Sequence, residues 1–214
     1  MAEPQAEPFH VALTALRERL QSGALPPGAR ATAVDLADEL GLSTTPVREA
    51  LSRLAGEGLL EDRRGQGYFV RVPSAVDIAD LHRMSLAHLL IAFEPRRSSR
   101  LSSTAATPMA GEPDLEPFDP VATVEDLFRR WVATTGSRPL IAAFRVAQIQ
   151  LGPVRRLEHQ VLDDLAAEAR ALLADADRSR AERLATLRQF HGVRIREADR
   201  LSALIGASIQ GPRK

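Results

Sequence analysis

Ser43, Thr44 and Thr45, followed by Arg48, put three hydroxyls and a guanidinium into what reads as the opening turn of a short helix. A helix N-terminus turns free backbone N–H groups and a positive partial charge outward. Hydroxyls and an arginine at such an end suit the phosphate wall and the base edges of a duplex major groove. Pro46 fits the same turn, where a missing N–H costs no helical hydrogen bond. Each residue also has a local reading: Ser43 as a helix cap, with Glu49 too far along to complete a capping box, and Arg48 as half of a surface ion pair. Arg53 lies further down the helix and reads as pointing away or pairing with Glu57.

A second polar group follows at Arg63, Arg64 and Arg71, around the tip Arg64-Gly65-Gln66-Gly67. Glycines on either side of one residue allow a tight hairpin whose backbone could approach a minor groove unobstructed. Glu61 and Asp62 dilute the charge, and residues 1–73 hold 8 basic against 10 acidic side chains. Duplex binding here has to rest on the placement of charge rather than its total.

Catalytic constellations are scarce. The 214 residues contain no cysteine, which excludes a thiolate metal site and a cysteine nucleophile. Of 28 basic residues 27 are arginine; the one lysine is Lys214. The sequence has neither a Gly-x-Ser-x-Gly elbow nor a His-Glu-x-x-His pair, so an enzyme is not expected, nor any cofactor. With 44% apolar and 26% charged residues and zero formal net charge, the chain has the composition of an ordinary globular protein. No apolar run reaches the roughly 20 residues of a membrane helix and the N-terminus is polar and acidic, so a cytoplasmic location is expected.

The elements that would position these groups follow from periodicity. After a tail at 1–8, Phe9, Leu13, Leu16 and Leu20 form one helical stripe, ended by Gly23 and the turn Leu25-Pro26-Pro27-Gly28. Helices are predicted from about Ala33 to Leu40, with Thr32 as a possible cap, and from Ser43 to about Gly56. Small Ala37, Gly41 at the corner and Val47 beyond it suit a helix-turn-helix crossing. Two short strands, 60–63 and 68–72, form a wing, and Pro73 closes a domain at 9–73.

The remainder reads as an all-α bundle of about five helices over 74–206, interrupted by a Ser-, Thr- and Pro-rich loop or disordered insertion at 95–122 and followed by a tail at 207–214. Helices are predicted over 75–93, 124–134, 140–150, 154–173 and 180–205. His82, His88 and His191 fall near apolar stripes and read as core or interface residues. The fold class is mainly α: an N-terminal winged helix-turn-helix with a two-stranded wing, plus a helical bundle.

The stretch LQSGALPPGARATAVDLADELGLSTTPVREALSRLAGEGLLEDRRGQGYFV closely resembles the winged-helix DNA-binding domain of GntR-family bacterial transcription regulators. By position, the resemblance implies DNA contacts at Ser43, Thr44, Thr45, Pro46, Arg48, Arg64 and Gly65. Thr44 stands where the family usually has arginine, and Val34 where a basic residue is frequent, so the operator sequence is not inherited from relatives. The helical remainder is similar to the FadR-like (FCD) branch. That similarity implies dimerisation, a near-palindromic operator, repression and a small carboxylic-acid effector.

The branch's metal ligands are not carried over. Its Asp–His pair falls on Glu125 and Arg129, and its later histidines near Ala166 and Arg188, so no metal is expected. Arg129, Arg145 and Arg188 are instead candidates to hold an anionic effector by charge-assisted hydrogen bonds. An effector-blind dimeric DNA-binding regulator and a winged-helix protein-interaction module remain alternatives. The family's branch with a pyridoxal-phosphate enzyme domain is excluded by length and by the absence of an internal lysine.

Overall fold

The structure, a computed structural model, describes residues 7–94, 118–174 and 179–210. The expected tails at 1–6 and 211–214 and the expected insertion over 95–117 lie outside the described residues. Helix α1 (Pro8–Ser22) buries Ala12, Leu13, Leu16 and Leu20, so the stripe read from periodicity is its core face. Proline at its first position is preset to the helical φ, which starts α1 inside the segment expected as tail.

Helix α2 (Ala33–Leu40) ends at Gly41, whose φ of 65° is the left-handed conformation that lets the chain turn into α3 (Thr44–Gly56). Leu36 and Ala37 of α2 pack with Val47, Ala50, Leu51 and Leu54 of α3 and with the α1 stripe in one core. Strands β2 (Leu60–Arg63) and β3 (Gly67–Val70) make the wing. A third strand, β1 (Arg30–Ala31), pairs antiparallel with β3, giving the order β1-β3-β2. The two-stranded wing expected from sequence is present, and β1 adds a third strand to its sheet. Two residues carry no alternation by which β1 could be recognised.

The helical part comprises α4 (Ala75–Ala92), α5 (Pro120–Ala133), α6 (Arg138–Arg155), a 3-10 turn (Glu158–Gln160), α7 (Leu165–Leu173), α8 (Arg180–Arg196) and α9 (Ala198–Gln210). Ser74 and Asp77 form a reciprocal capping box at the start of α4.

Four boundaries differ from the sequence reading. Helix α5 begins at Pro120, within the expected insertion, because Asp119 accepts from the N–H groups of Val121 and Ala122. The helix expected over 154–173 is split: α6 continues through Pro153, whose missing N–H removes one bond in the last turn, and Asp164 caps α7 separately. The helix expected over 180–205 is broken at Glu197, where no glycine or proline signals the break. Finally, α9 extends to Gln210, into the expected tail, with Ile205 buried on its inner face.

The two parts are closely joined. Helix α6 places Ile149 in the core of the winged domain, and Gln150 donates to the Gly58 carbonyl at 3.3 Å. Where α1 crosses α6, a Cβ on Gly152 would lie 2.1 Å from the Gln21 carbonyl oxygen. Only glycine permits that backbone approach.

Candidate nucleic-acid interface

Helix α3 divides cleanly into two faces. Val47, Ala50, Leu51 and Leu54 are buried, which forces Thr45, Arg48, Glu49 and Ser52 outward. Ser43 is exposed at the cap position, yet its hydroxyl makes no cap hydrogen bond. Thr44 and Pro46 are partly exposed beside it. The leading end of α3 thus presents hydroxyls and unpaired backbone N–H groups together. Arg48 is exposed and has no ion pair or hydrogen bond among the described residues.

Arg53 behaves differently. Its guanidinium donates to Glu57 at 2.9 Å, four residues on, as the sequence suggested. Glu57 also accepts from Arg17 of α1 at 2.7 Å. Burial opposes ionisation of Glu57, but the hydrogen bonds and charges of Arg17 and then Arg53 outweigh it and hold the carboxyl below its usual range. This triad ties α3 to α1 and consumes Arg53 structurally.

At the wing, Gln66 donates to the Arg63 carbonyl at 2.8 Å, and Gly65 and Gly67 take φ of 75° and 97°. The tip is exposed at Arg64 and Gly65. Of the three arginines expected around it, Arg64 stands at the tip itself and has no ion pair or hydrogen bond among the described residues. Arg63 pairs with Glu61 at 2.9 Å and lies over the Phe69 ring, 4.3 Å from its centroid. Arg71 sits at the opposite end of β3, where its guanidinium approaches Gly58.

Arg30 is the residue that sequence reasoning missed. Pairing of β1 with β3 lays its guanidinium along the wing, where a Cβ on Gly67 would meet it at 3.8 Å. Its signal is tertiary, since only strand pairing brings it to the wing. Thr45, Arg48 and Ser52 on α3 and Arg30 and Arg64 on the wing offer donors suited to a polyanion.

The anion candidates in the helical part separate. Arg129 and Arg145 line one cleft of about 480 Å³ between α1, α5 and α6, and Arg129 is ion-paired with Asp126 one turn away. Arg188 is exposed on α8 and does not line that cleft, so the three do not converge. The periodic signal gave each arginine a helix but not a face toward the others.

The positions matched to the branch's metal ligands do not fit a metal. Glu125 is held between Arg155 (3.7 Å) and Arg156 (3.2 Å), and the others are Arg129, Ala166 and Arg188. No group of three or more histidine or acidic side chains converges among the described residues.

The histidines read as core or interface residues divide by depth. His82 and His191 are fully buried, whereas His88 is half-buried against Phe144. The His191 Nδ1 donates to the Leu187 carbonyl at 2.9 Å, leaving Nε2 to accept from the Ser85 hydroxyl at 3.1 Å. Ser85 in turn accepts from Gln148, whose oxygen accepts from Arg155. Burial, with the charges of Arg155 and Arg194 acting in the same direction against the Leu187 hydrogen bond, pushes His191 down to about 3. His82 is pushed well below its ordinary value by burial, then by Arg155, His191 and Arg194. Both rings are neutral in the folded protein.

Residues 11–70 match the profile of the family described as "Bacterial regulatory proteins, gntR family". An uncharacterized HTH-type transcriptional regulator from the TAR-I ttuE-ttuC' intergenic region of Agrobacterium vitis is 33% identical over 41% of this chain and 48% of that protein. The Nta operon transcriptional regulator of Aminobacter aminovorans is 40% identical over 38% of this chain and 36% of its own length. The HTH-type transcriptional regulator McbR of Escherichia coli K12 is 39% identical over 35% of this chain and 36% of its length. The chain spans about half the length, or less, of these curated relatives.

Among solved structures, E. coli McbR/YncC superposes with a TM-score of 0.62 at 18% identity, covering 95% of this chain and all of that one. A GntR regulator described as putative, from Rhodococcus sp. RHA1, gives 0.59 at 19% identity, covering 93% and 98%. The family and these relatives are transcriptional regulators rather than enzymes, and the two superpositions extend the likeness in fold to the helical part. Residues 11–70, the winged helix, are thus similar to the DNA-binding part of the gntR family of bacterial regulatory proteins.

Proposed function

We propose that the chain is a sequence-specific regulator of transcription, most simply a repressor, that binds duplex DNA through the start of α3 and the wing. The observation that carries this is the outward Arg48, unpaired beside the free hydroxyls of Ser43 and Thr45. An exposed guanidinium next to a helix N-terminus is suited to a bidentate contact with guanine or a phosphate. Ser43, Thr44, Thr45, Pro46 and Arg48 enter the major groove in this reading, and Arg64 and Gly65 meet the backbone or minor groove, with Arg30 beside them.

One winged domain with so few free cations binds weakly on its own. Two copies, joined through the helical part, place two α3 helices in successive major grooves of a near-palindrome and double the phosphate contacts. The absence of a membrane-length apolar helix among the described residues fits a protein that works on DNA in the cytoplasm. The helical part corresponds to the FadR-like branch and takes a small organic-acid effector, whose binding changes the spacing of the two DNA-binding units.

Gel shifts on the DNA upstream of the protein's own gene test this reading. Binding that weakens steeply with salt and is lost in Arg48→Ala supports it. Binding unaffected by Arg48→Ala overturns the recognition-helix assignment, and no DNA binding at low salt favours a protein-interaction module. Effector-blind behaviour would show as shifts unchanged by any candidate acid.

A further inference from the structure

The cleft between α1, α5 and α6 differs from an ordinary bundle pocket in being partly walled by the DNA-binding domain. Its volume of about 480 Å³ lies within the range of small-molecule sites. Ile141 and Phe144 give it an apolar wall, while Gln21, Glu125, Arg129 and Arg145 bring opposite charges and an amide to the same space.

Two of these groups have unused capacity. Arg145 is exposed and makes no ion pair or hydrogen bond among the described residues, whereas Arg129 is already engaged by Asp126. The Glu125 side chain is nine-tenths buried. Its Oε2 accepts from Gln21 Nε2 at 2.9 Å and from Arg156 at 3.2 Å, whereas its Oε1 has the Arg155 charge at 3.7 Å but no hydrogen-bond donor. A buried carboxylate oxygen without a donor is costly, and a ligand donor near it would be favourable.

We propose that this cleft binds a zwitterionic amino acid with an apolar side chain. Its carboxylate sits on Arg145, its side chain on Ile141 and Phe144, and its ammonium, with three N–H donors, takes the place of the Gln21 amide on Oε2 of Glu125 and supplies the donor that Oε1 lacks. A simple carboxylic acid would leave Glu125 Oε1 without a donor, and a simple amine would leave Arg145 without an anion. The inference deepens the effector reading above by naming both the chemistry and the way occupancy is sensed.

Gln21 is the sensing residue. It lies one position before the end of α1, and its carbonyl is pressed against Gly152 of α6. Releasing its side chain from Glu125 removes one of the polar links that tie α1 to the helical part. Because α1 carries Leu13, Leu16 and Leu20 of the winged domain's core, a change in its seat moves the recognition helix with it.

Calorimetric titration of the full chain with L-alanine, L-valine, L-leucine and L-phenylalanine tests the proposal, with 4-methylpentanoate and 3-methylbutylamine as the arms lacking one charge. At least one amino acid is expected to bind with a Kd below about 1 mM, with the single-charge arms about tenfold weaker or more. Arg145→Ala weakens binding about tenfold without changing the melting temperature. Gln21→Ala tightens it severalfold, because a competing donor is gone; a merely structural Gln21 would leave affinity unchanged or reduced. No binding by any of the four, equal binding of 4-methylpentanoate, or indifference to Arg145→Ala overturns the proposal. DNA binding by the ligand-free protein is measured separately, so failure of this site is distinguishable from failure of the regulator reading.

Discussion

The winged domain and the helical bundle handle charge in opposite ways. Around α3 and the wing, the arginines lie at the surface, and the core beneath them is apolar. In the bundle, Arg155 and Arg194 are among the largest fully buried side chains and share the interior with Glu125, Glu158, His82 and His191. Exposed charge is cheap to hold and free to meet a partner, whereas buried charge is locked into its own network. The first arrangement suits recognition of an external polyanion, and the second fixes the bundle's internal geometry.

Mutations separate the two regimes, beginning with the largest effect. Arg194→Ala removes the partner of Glu158 at 2.8 Å and of Glu168 at 2.9 Å, and leaves the fully buried Glu158 only the charge of Arg155 against it. A loss of about 3–5 kcal/mol in urea-unfolding stability is expected, against under about 1 kcal/mol for breaking the exposed Arg63–Glu61 pair. Equal costs for the two would erase the contrast.

Gly152→Ala forces apart the backbones of α1 and α6 and costs about 2–3 kcal/mol, seen as a lowered melting temperature. An unchanged melting temperature would show that the two parts are not seated on each other as described.

Acid probes the bundle's polar core next. His191 is held at about 3 when folded, against an ordinary value of 6.5. The unfolded chain therefore binds the extra proton first as pH falls below about 6.5, and folding stability declines from there down to about 3. The slope is about 1.4 kcal/mol per pH unit for each such histidine, with His82 acting in the same direction. His191→Phe should flatten the slope of stability against pH between about 6.5 and 4, and an unaltered slope would place the proton uptake elsewhere.

Smallest of all, Arg64→Ala is expected to weaken DNA binding a few-fold on every sequence and to reduce the salt slope by about one. A sequence-dependent loss would mean that the wing reads bases.

The winged domain was legible from sequence almost residue by residue, because its determinants are local. Gly41 needs its left-handed turn, Pro46 tolerates a first turn, and the Leu and Val spacing of α3 fixes which way Arg48 faces. Arg30 and β1 escaped because strand pairing alone positions them.

In the bundle, periodicity found helical segments but misplaced their ends. The segment expected as one helix over 154–173 crosses a 3-10 turn before the start of α7, and in that turn Glu158 is drawn inward by Arg194. Buried ion pairs of this kind leave no hydrophobic signature. They look like surface charge until the fold brings the partners together, so neither the polar core nor the split of Arg188 from Arg129 and Arg145 was readable.

The central claim is that the leading end of α3 reads duplex DNA through an unpaired Arg48. Fluorescence anisotropy on a duplex recovered by in-vitro selection with the full chain, compared between the native protein and Arg48→Ala, tests it most directly. A roughly tenfold to hundredfold loss of affinity for the selected site is expected, with non-specific binding and melting temperature nearly unchanged. Equal affinity of the two proteins for that site would contradict it.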